Sequence, residues 1–262
     1  MMQDAIIGLA AFSAAGVMAV LLIHGRAGRI RPPNRILAGL IPSAAAAMLT
    51  GVPPSAAQPS REAGARGSAA PLTIDAANMA PGALPEMFGS EKTGKGAPAE
   101  WKVVPDASAE GGKAIAQVST DRTDYRFPLA IYKPLSAKDV EATIHCKPVA
   151  GKVDQACGVA VRLTTPDDYY VARANALEDN VRFYRVVKGR REQIQGANLK
   201  VASNQWHTLG LRAEGDRFTV SFDGKELFSA TDKTFAGPGS VALWTKADSV
   251  THFDRIAIRP LP

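Results

Sequence analysis

Beyond residue 85 the chain is a succession of short alternating segments punctuated by turn residues, and that rhythm constrains the fold more than any other feature. The segments are Lys113 to Ser119, Leu129 to Tyr132, Val140 to Cys146, Gly158 to Leu163, Tyr169 to Arg173, Val181 to Val187, Trp206 to Ala213, Arg217 to Phe222, Lys225 to Ala230, Gly239 to Leu243 and Phe253 to Arg259. A period of two turns one side of each strand toward a core and the other away from it. Between them stand Lys188-Gly189, Glu214-Gly215-Asp216, Asp223-Gly224 and Gly237-Pro238-Gly239. Asp223-Gly224, between FTVSF and KELFSA, is the clearest hairpin, because a type I′ turn needs positive φ at both central residues. Many short strands without a long amphipathic helix predict an all-β domain, a two-sheet sandwich or jelly roll.

The N-terminal part follows a different pattern. Ala5 to Ile23 carries no charge and is long enough to cross a bilayer as a helix. Arg26, Arg29, Arg31 and Arg35 follow, then a second apolar run, Ile36 to Val52, interrupted by Pro42. The positive-inside rule keeps the Arg cluster in the cytoplasm and sends the rest of the chain outward. Arg29 to Gln58 also has the layout of a signal sequence, with small residues Ser55-Ala56-Ala57 before Gln58. Retained anchor and cleaved leader both predict an exported protein, touching the membrane through residues 1–57. Residues 58–84, rich in Ala, Gly, Pro and Ser, read as a flexible linker ahead of a domain at 85–262.

Charge excludes one class of partner. The chain has 31 Lys and Arg against 25 Asp and Glu, net +6; residues 1–57 hold four Arg and one Asp, leaving 27 against 24, or +3. Lys188, Arg190 and Arg191 flank the single Gly189 turn and read as a solvated hairpin tip, so no nucleic-acid partner is expected. Cys146 and Cys157 flank the loop KPVAGKVDQA; paired strands joined by that loop would bring them together, and export favours a disulfide over two free thiols.

Several blocks carry a resemblance. Asp154-Gln155, Tyr169-Tyr170, Arg173-Ala174-Asn175-Ala176-Leu177-Glu178 with Asn180, Trp206-His207, Asp223-Gly224, and Leu243-Trp244-Thr245-Lys246-Ala247-Asp248-Ser249 resemble the 3-keto-disaccharide hydrolase domain family. That family belongs to the concanavalin A-like, laminin G-like jelly rolls, and the resemblance spans residues 85–260. It implies a curved two-sheet antiparallel jelly-roll sandwich and a carbohydrate-related role in an exported bacterial protein, periplasmic or extracellular. The chain departs from the family's enzymes in one respect: their early motif of His and acidic residues finds no match between residues 85 and 145.

Sugar recognition combines fixed polar groups for hydroxyls with aromatic faces for C–H surfaces. Arg173, Asn175, Asn180, Tyr184, Trp244 and Lys246 supply both types, provided the Arg173 corner and the Trp244 strand lie side by side. For catalysis the candidate carboxylates are Glu178 and Asp248, with Asp154 beside them. His145, His207 and His252 offer metal ligands but lack a spacing such as His-x-x-x-His, so no metal site is expected and the sequence implies no particular cofactor. Each residue also has a structural use: Glu178-Asp179-Asn180 suits a tight polar corner, and a buried Arg173 must be paired. The expected function is carbohydrate recognition, of an oligosaccharide or envelope glycan, without catalysis. The alternative is a glycoside hydrolase acting on 3-keto or otherwise modified disaccharides; a protein-contact sandwich is the third possibility.

Overall fold

The computed structural model describes residues 70–262. The anchor or leader expected over residues 1–57, and the linker up to residue 69, lie outside the described residues. Among the described residues, no helix is long and apolar enough to cross a membrane.

Sixteen strands run through the described residues. They are β1 (Leu72–Asp75), β2 (Gly82–Ala83), β3 (Phe88–Gly94), β4 (Trp101–Pro105), β5 (Lys113–Gln117), β6 (Arg126–Ala137), β7 (Val140–Ala150) and β8 (Ala156–Thr165). Then come β9 (Asp168–Asn175), β10 (Asn180–Val187), β11 (Arg190–Asn198), β12 (His207–Glu214), β13 (Arg217–Phe222), β14 (Lys225–Thr231), β15 (Gly239–Trp244) and β16 (Val250–Pro260). All pair antiparallel in two sheets. Sheet A has the order β14-β13-β12-β7-β16-β5-β4-β2, with β1 added against β16. Sheet B has the order β11-β10-β9-β8-β15-β6-β3. The all-β two-sheet sandwich is therefore present, and every alternating segment named from the sequence is a strand in it.

The folded unit begins earlier than residue 85. Leu72 pairs with Ile258 and Ile74 with Ile256, which carries residues predicted as linker into sheet A. Ile74, Ala76 and Met79 are buried in the core, so three well-placed apolar side chains outweigh the Ala-, Gly- and Pro-rich composition around them. β3, β4 and β11 also escaped the alternation test. β11, RREQIQGAN, is a polar edge strand, the composition that discourages further strand addition.

Strand alternation separates two apolar layers. Val159, Val161, Tyr170, Ala172, Phe183 and Leu243 of sheet B face Ile144, Leu211, Phe218, Val220, Phe253 and Ile256 of sheet A. The residues between them on the sheet B strands, Ala160, Tyr169, Val171, Tyr184, Ala242 and Trp244, form a second cluster on the other face of sheet B. Asp223 (φ 47°) and Gly224 (φ 77°) make the positive-φ turn expected between β13 and β14.

Cys146 and Cys157 form the predicted disulfide, with Cα atoms 6.4 Å apart. Their strands are not paired with each other, contrary to expectation: β7 lies in sheet A and β8 in sheet B, so the bridge ties the two layers together. The loop between them is the crossover from one sheet to the other.

Candidate functional site

The second face of sheet B is built from residues that share a side by register. Trp244 pairs with Gly158, and Gly158 with Arg173, so Trp244 and Arg173 stand one strand apart. A Cβ on Gly158 would lie 3.0 Å from the Trp244 ring and 3.2 Å from the Arg173 Cβ, so the glycine leaves room for the indole to lie against the sheet. Across the next pairing, Arg173 meets Arg182, Asn175 meets Asn180, and Tyr184 meets Val171. The corner and the Trp244 strand thus share a face but are not neighbouring strands.

At one end of this face is a buried polar network. Arg173, 3% exposed, donates from Nη1 to Asn180 Oδ1 (2.6 Å) and from Nη2 to Glu178 Oε2 (2.7 Å) and Tyr184 OH (3.1 Å). Asn175 donates to Asp154 (2.8 Å) and accepts the Leu177 and Glu178 N–H groups, the polar-corner role that the sequence allowed. Lys246 forms ion pairs with Asp154 (2.9 Å) and Asp124 (2.5 Å). Asp124 has no counterpart among the residues named from the sequence, since it lies in an irregular segment ahead of β6.

The candidate carboxylates are held as anions. Burial alone would raise the Glu178 pKa, but the Arg173 charge and the bonds from Arg173 and Asn180 outweigh it and hold it below the ordinary value. Burial also acts to raise Asp248, yet the N–H groups of Lys152, Val153 and Asp154, at 2.8, 3.0 and 3.1 Å, lower it overall. Asp248 therefore clamps the β7–β8 crossover. It also lines a cavity of about 390 Å³ with Arg122, Gly151 and Lys152. Asp154 is the opposite case: burial raises its pKa, with Lys246 working against the rise.

Beside this network is an aromatic floor. Phe127 and Trp244 stack with centroids 5.3 Å apart. The Trp244 indole N–H donates to Tyr169 OH (3.1 Å), which bonds in turn to Thr93 Oγ1 (2.8 Å). The Arg191 guanidinium lies over it, 4.7 Å from the Phe127 centroid, 4.6 Å from Tyr184 and 5.8 Å from Trp244. Arg191 is therefore no solvated hairpin tip. The sequence hid this because β11 lacks apolar alternation, and without the strand the facing of Arg191 cannot be read. Trp244 is wholly buried, with Phe127 stacked on it and Arg191 beside it, and presents no open face to a ligand in this arrangement.

The three histidines are dispersed, each bonded to an aspartate: His145 Nδ1 to Asp254 (2.7 Å), His207 Nδ1 to Asp223 (2.9 Å) and His252 Nδ1 to Asp106 (2.7 Å). His145 also stacks on Trp206, and with Thr143, Thr208, Arg255 and Ala257 it lines a cavity of about 360 Å³ on sheet A. Among the described residues no group of three or more His, Cys, Asp or Glu is placed to hold a metal ion.

Residues 140–261 match the family model of the galactocerebrosidase C-terminal lectin domain. That model is a lectin's, not that of the 3-keto-disaccharide hydrolase group. Among solved structures, the carbohydrate binding module CBM66 from Bacillus subtilis is similar with a TM-score of 0.51 at 21% identity, covering 66% of this chain and 97% of its own. A Bacillus licheniformis β-glucanase gives 0.49 at 12% identity, covering 74% and 99%. A Caenorhabditis elegans galectin gives 0.38 at 15% identity, covering 47% and 83%. The first of these shows a shared fold; comparison with curated proteins returns no match.

Proposed function

We propose that this chain is an exported protein whose sandwich domain recognises carbohydrate without cleaving it. The observation that carries this is the second face of sheet B, where an aromatic floor adjoins a fixed polar network. Both lie largely within the stretch that matches a lectin-domain model. With the Arg191 guanidinium displaced, such a face would set ring surface beside directional donors, the combination sugars need. The carboxylates are ill suited to cleavage: a general base must be free to take a proton, whereas Glu178 is neutralised by Arg173 and Asp248 accepts from three backbone amides. Export rests on the N-terminal apolar runs, with the inter-sheet disulfide suited to an oxidising compartment.

The test is a panel of oligosaccharides offered to the full-length protein, with binding and product release scored in the same wells. Binding without turnover is expected. Turnover lost in Glu178→Gln or Asp248→Asn would make the chain an enzyme, and no binding to any glycan would contradict the proposal.

One observation favours the hydrolase alternative, acting on 3-keto or otherwise modified disaccharides. Burial raises the Asp254 pKa, and this carboxyl holds His145 Nδ1 while the ring borders the sheet A cavity. An Asp–His pair beside a cavity is a general-base arrangement. Turnover in the same panel that disappears in His145→Gln would select this reading.

A further inference from the structure

Buried polar atoms without partners need a physical reason, because leaving a donor unmet costs free energy. Among the described residues Arg173 Nε and Arg191 Nη1 are buried without an acceptor. Both belong to guanidiniums flanking one ring: Arg173 Cζ is 5.7 Å and Arg191 Cζ 4.6 Å from the Tyr184 centroid. Arg191 faces no carboxylate among the described residues; the hydrogen bond found for it is from its backbone N–H to Tyr125 OH (2.7 Å). Its guanidinium rests instead on Phe127, Tyr184 and Trp244.

We propose that this face binds an acidic sugar, one bearing a carboxylate of the uronic acid type, with Arg191 as the residue that selects it. The inference rests on the carbohydrate reading above and names the substrate class of the same face. A guanidinium presents parallel N–H groups that match a carboxylate's two oxygens, and such charge-assisted bonds are stronger than a cation resting on aromatic rings. The carboxylate draws Arg191 off the floor. The sugar ring then takes the place the guanidinium occupied, over Tyr184 and Trp244, and a ring or hydroxyl oxygen meets Arg173 Nε. Arg173 itself stays fixed, because its other donors hold Asn180, Glu178 and Tyr184.

Titration of the full-length protein with an oligogalacturonate, the matching neutral oligogalactose and a sulfated oligosaccharide tests this. The uronate is expected to bind about tenfold more tightly than the neutral sugar, with the advantage shrinking as salt rises. The sulfated arm separates carboxylate recognition from general anion attraction: equal binding of the two anions would overturn the assignment to a uronate. Arg191→Gln should remove the uronate advantage, bringing the uronate and the neutral sugar to the same affinity, whereas Arg190→Gln, whose side chain is 81% exposed beside it, should leave the ratio unchanged. Arg191→Lys, which keeps charge but loses the planar fork, should fall between, and it carries the test if the glutamine variant does not fold. A uronate preference that survives Arg191→Gln, or no preference in the parent, would overturn the inference while leaving carbohydrate recognition standing. Failure of every sugar to bind would remove both.

Discussion

Sheet B buries an arginine toward each end of the β8–β9 hairpin, and their bonding differs. Arg162, 1% exposed, donates from Nε to Lys138 O (2.8 Å), from Nη1 to Phe235 O (2.8 Å), and from Nη2 to Gly215 O (2.5 Å) and Asp139 (3.1 Å). Arg126 is bonded in the same manner, to the carbonyls of Ala97, Ala247 and Pro98. Arg173 at the other end bonds to side chains and leaves Nε over, and Arg191 beside it leaves Nη1. An arginine that ties main-chain carbonyls of several loops has its capacity used by the fold. An arginine held by side chains, with a donor left, has capacity for something else.

Substitutions at the two arginines should separate these roles. Arg162→Met strips donors from three carbonyls in separate segments, and a loss of about 3 kcal/mol or more is expected in urea unfolding. A loss below that of Arg173→Met would reverse the distinction drawn here. Reducing the Cys146–Cys157 bridge, or replacing both with Ser, should cost about 2 to 3 kcal/mol, since it joins the sheets across a short loop. Arg173→Met should cost about 2 kcal/mol, because its partner Glu178 has a side chain 47% exposed and can rehydrate. Its larger effect should be on glycan affinity.

Acid response gives a smaller signal with a defined sign. The Asp248 pKa is depressed in the folded state, so its contribution is fully present above the ordinary carboxylate range, about pH 4, and is lost as pH falls through the depressed value. Asp248→Asn should therefore lower stability near neutrality and flatten its decline below about pH 4, as read from urea midpoints across an acid series. Unchanged acid dependence would mean that the three amide bonds do not set this carboxyl's affinity for protons. Smallest of all is Glu178→Gln, expected to change stability by about 1 kcal/mol or less because the Glu178 side chain is half exposed and the glutamine oxygen still accepts from Arg173.

The sequence made the sandwich legible wherever strands are amphipathic. Val140 to Cys146 and Arg217 to Phe222 announce themselves by alternation, and the second ends on the recognisable Asp223-Gly224 turn. It was silent where a strand is polar on both faces, as in β11, or very short, as in β1 and β2. The corner around Arg173, Asn175 and Asn180 was readable as a polar cluster, and the structure brings these residues together. Whether such a cluster is open or buried depends on which strands lie beside it, and a local pattern does not carry that. The same gap explains the disulfide: the cysteine spacing was informative, while the assignment of β7 and β8 to different sheets was not. Arg191 lies over the rings although its sequence neighbourhood predicts a hairpin tip, because a strand without apolar alternation has no visible facing.

Sugar recognition is proposed for the second face of sheet B. Amide hydrogen exchange on the full-length protein, with and without a mixture of neutral and uronate oligosaccharides, tests it most directly. Protection is predicted in β9, β10 and β11 and in the segment after Trp244, with sheet A unchanged. Protection confined to β7, β12 and β16 around His145, or none at all, would contradict it.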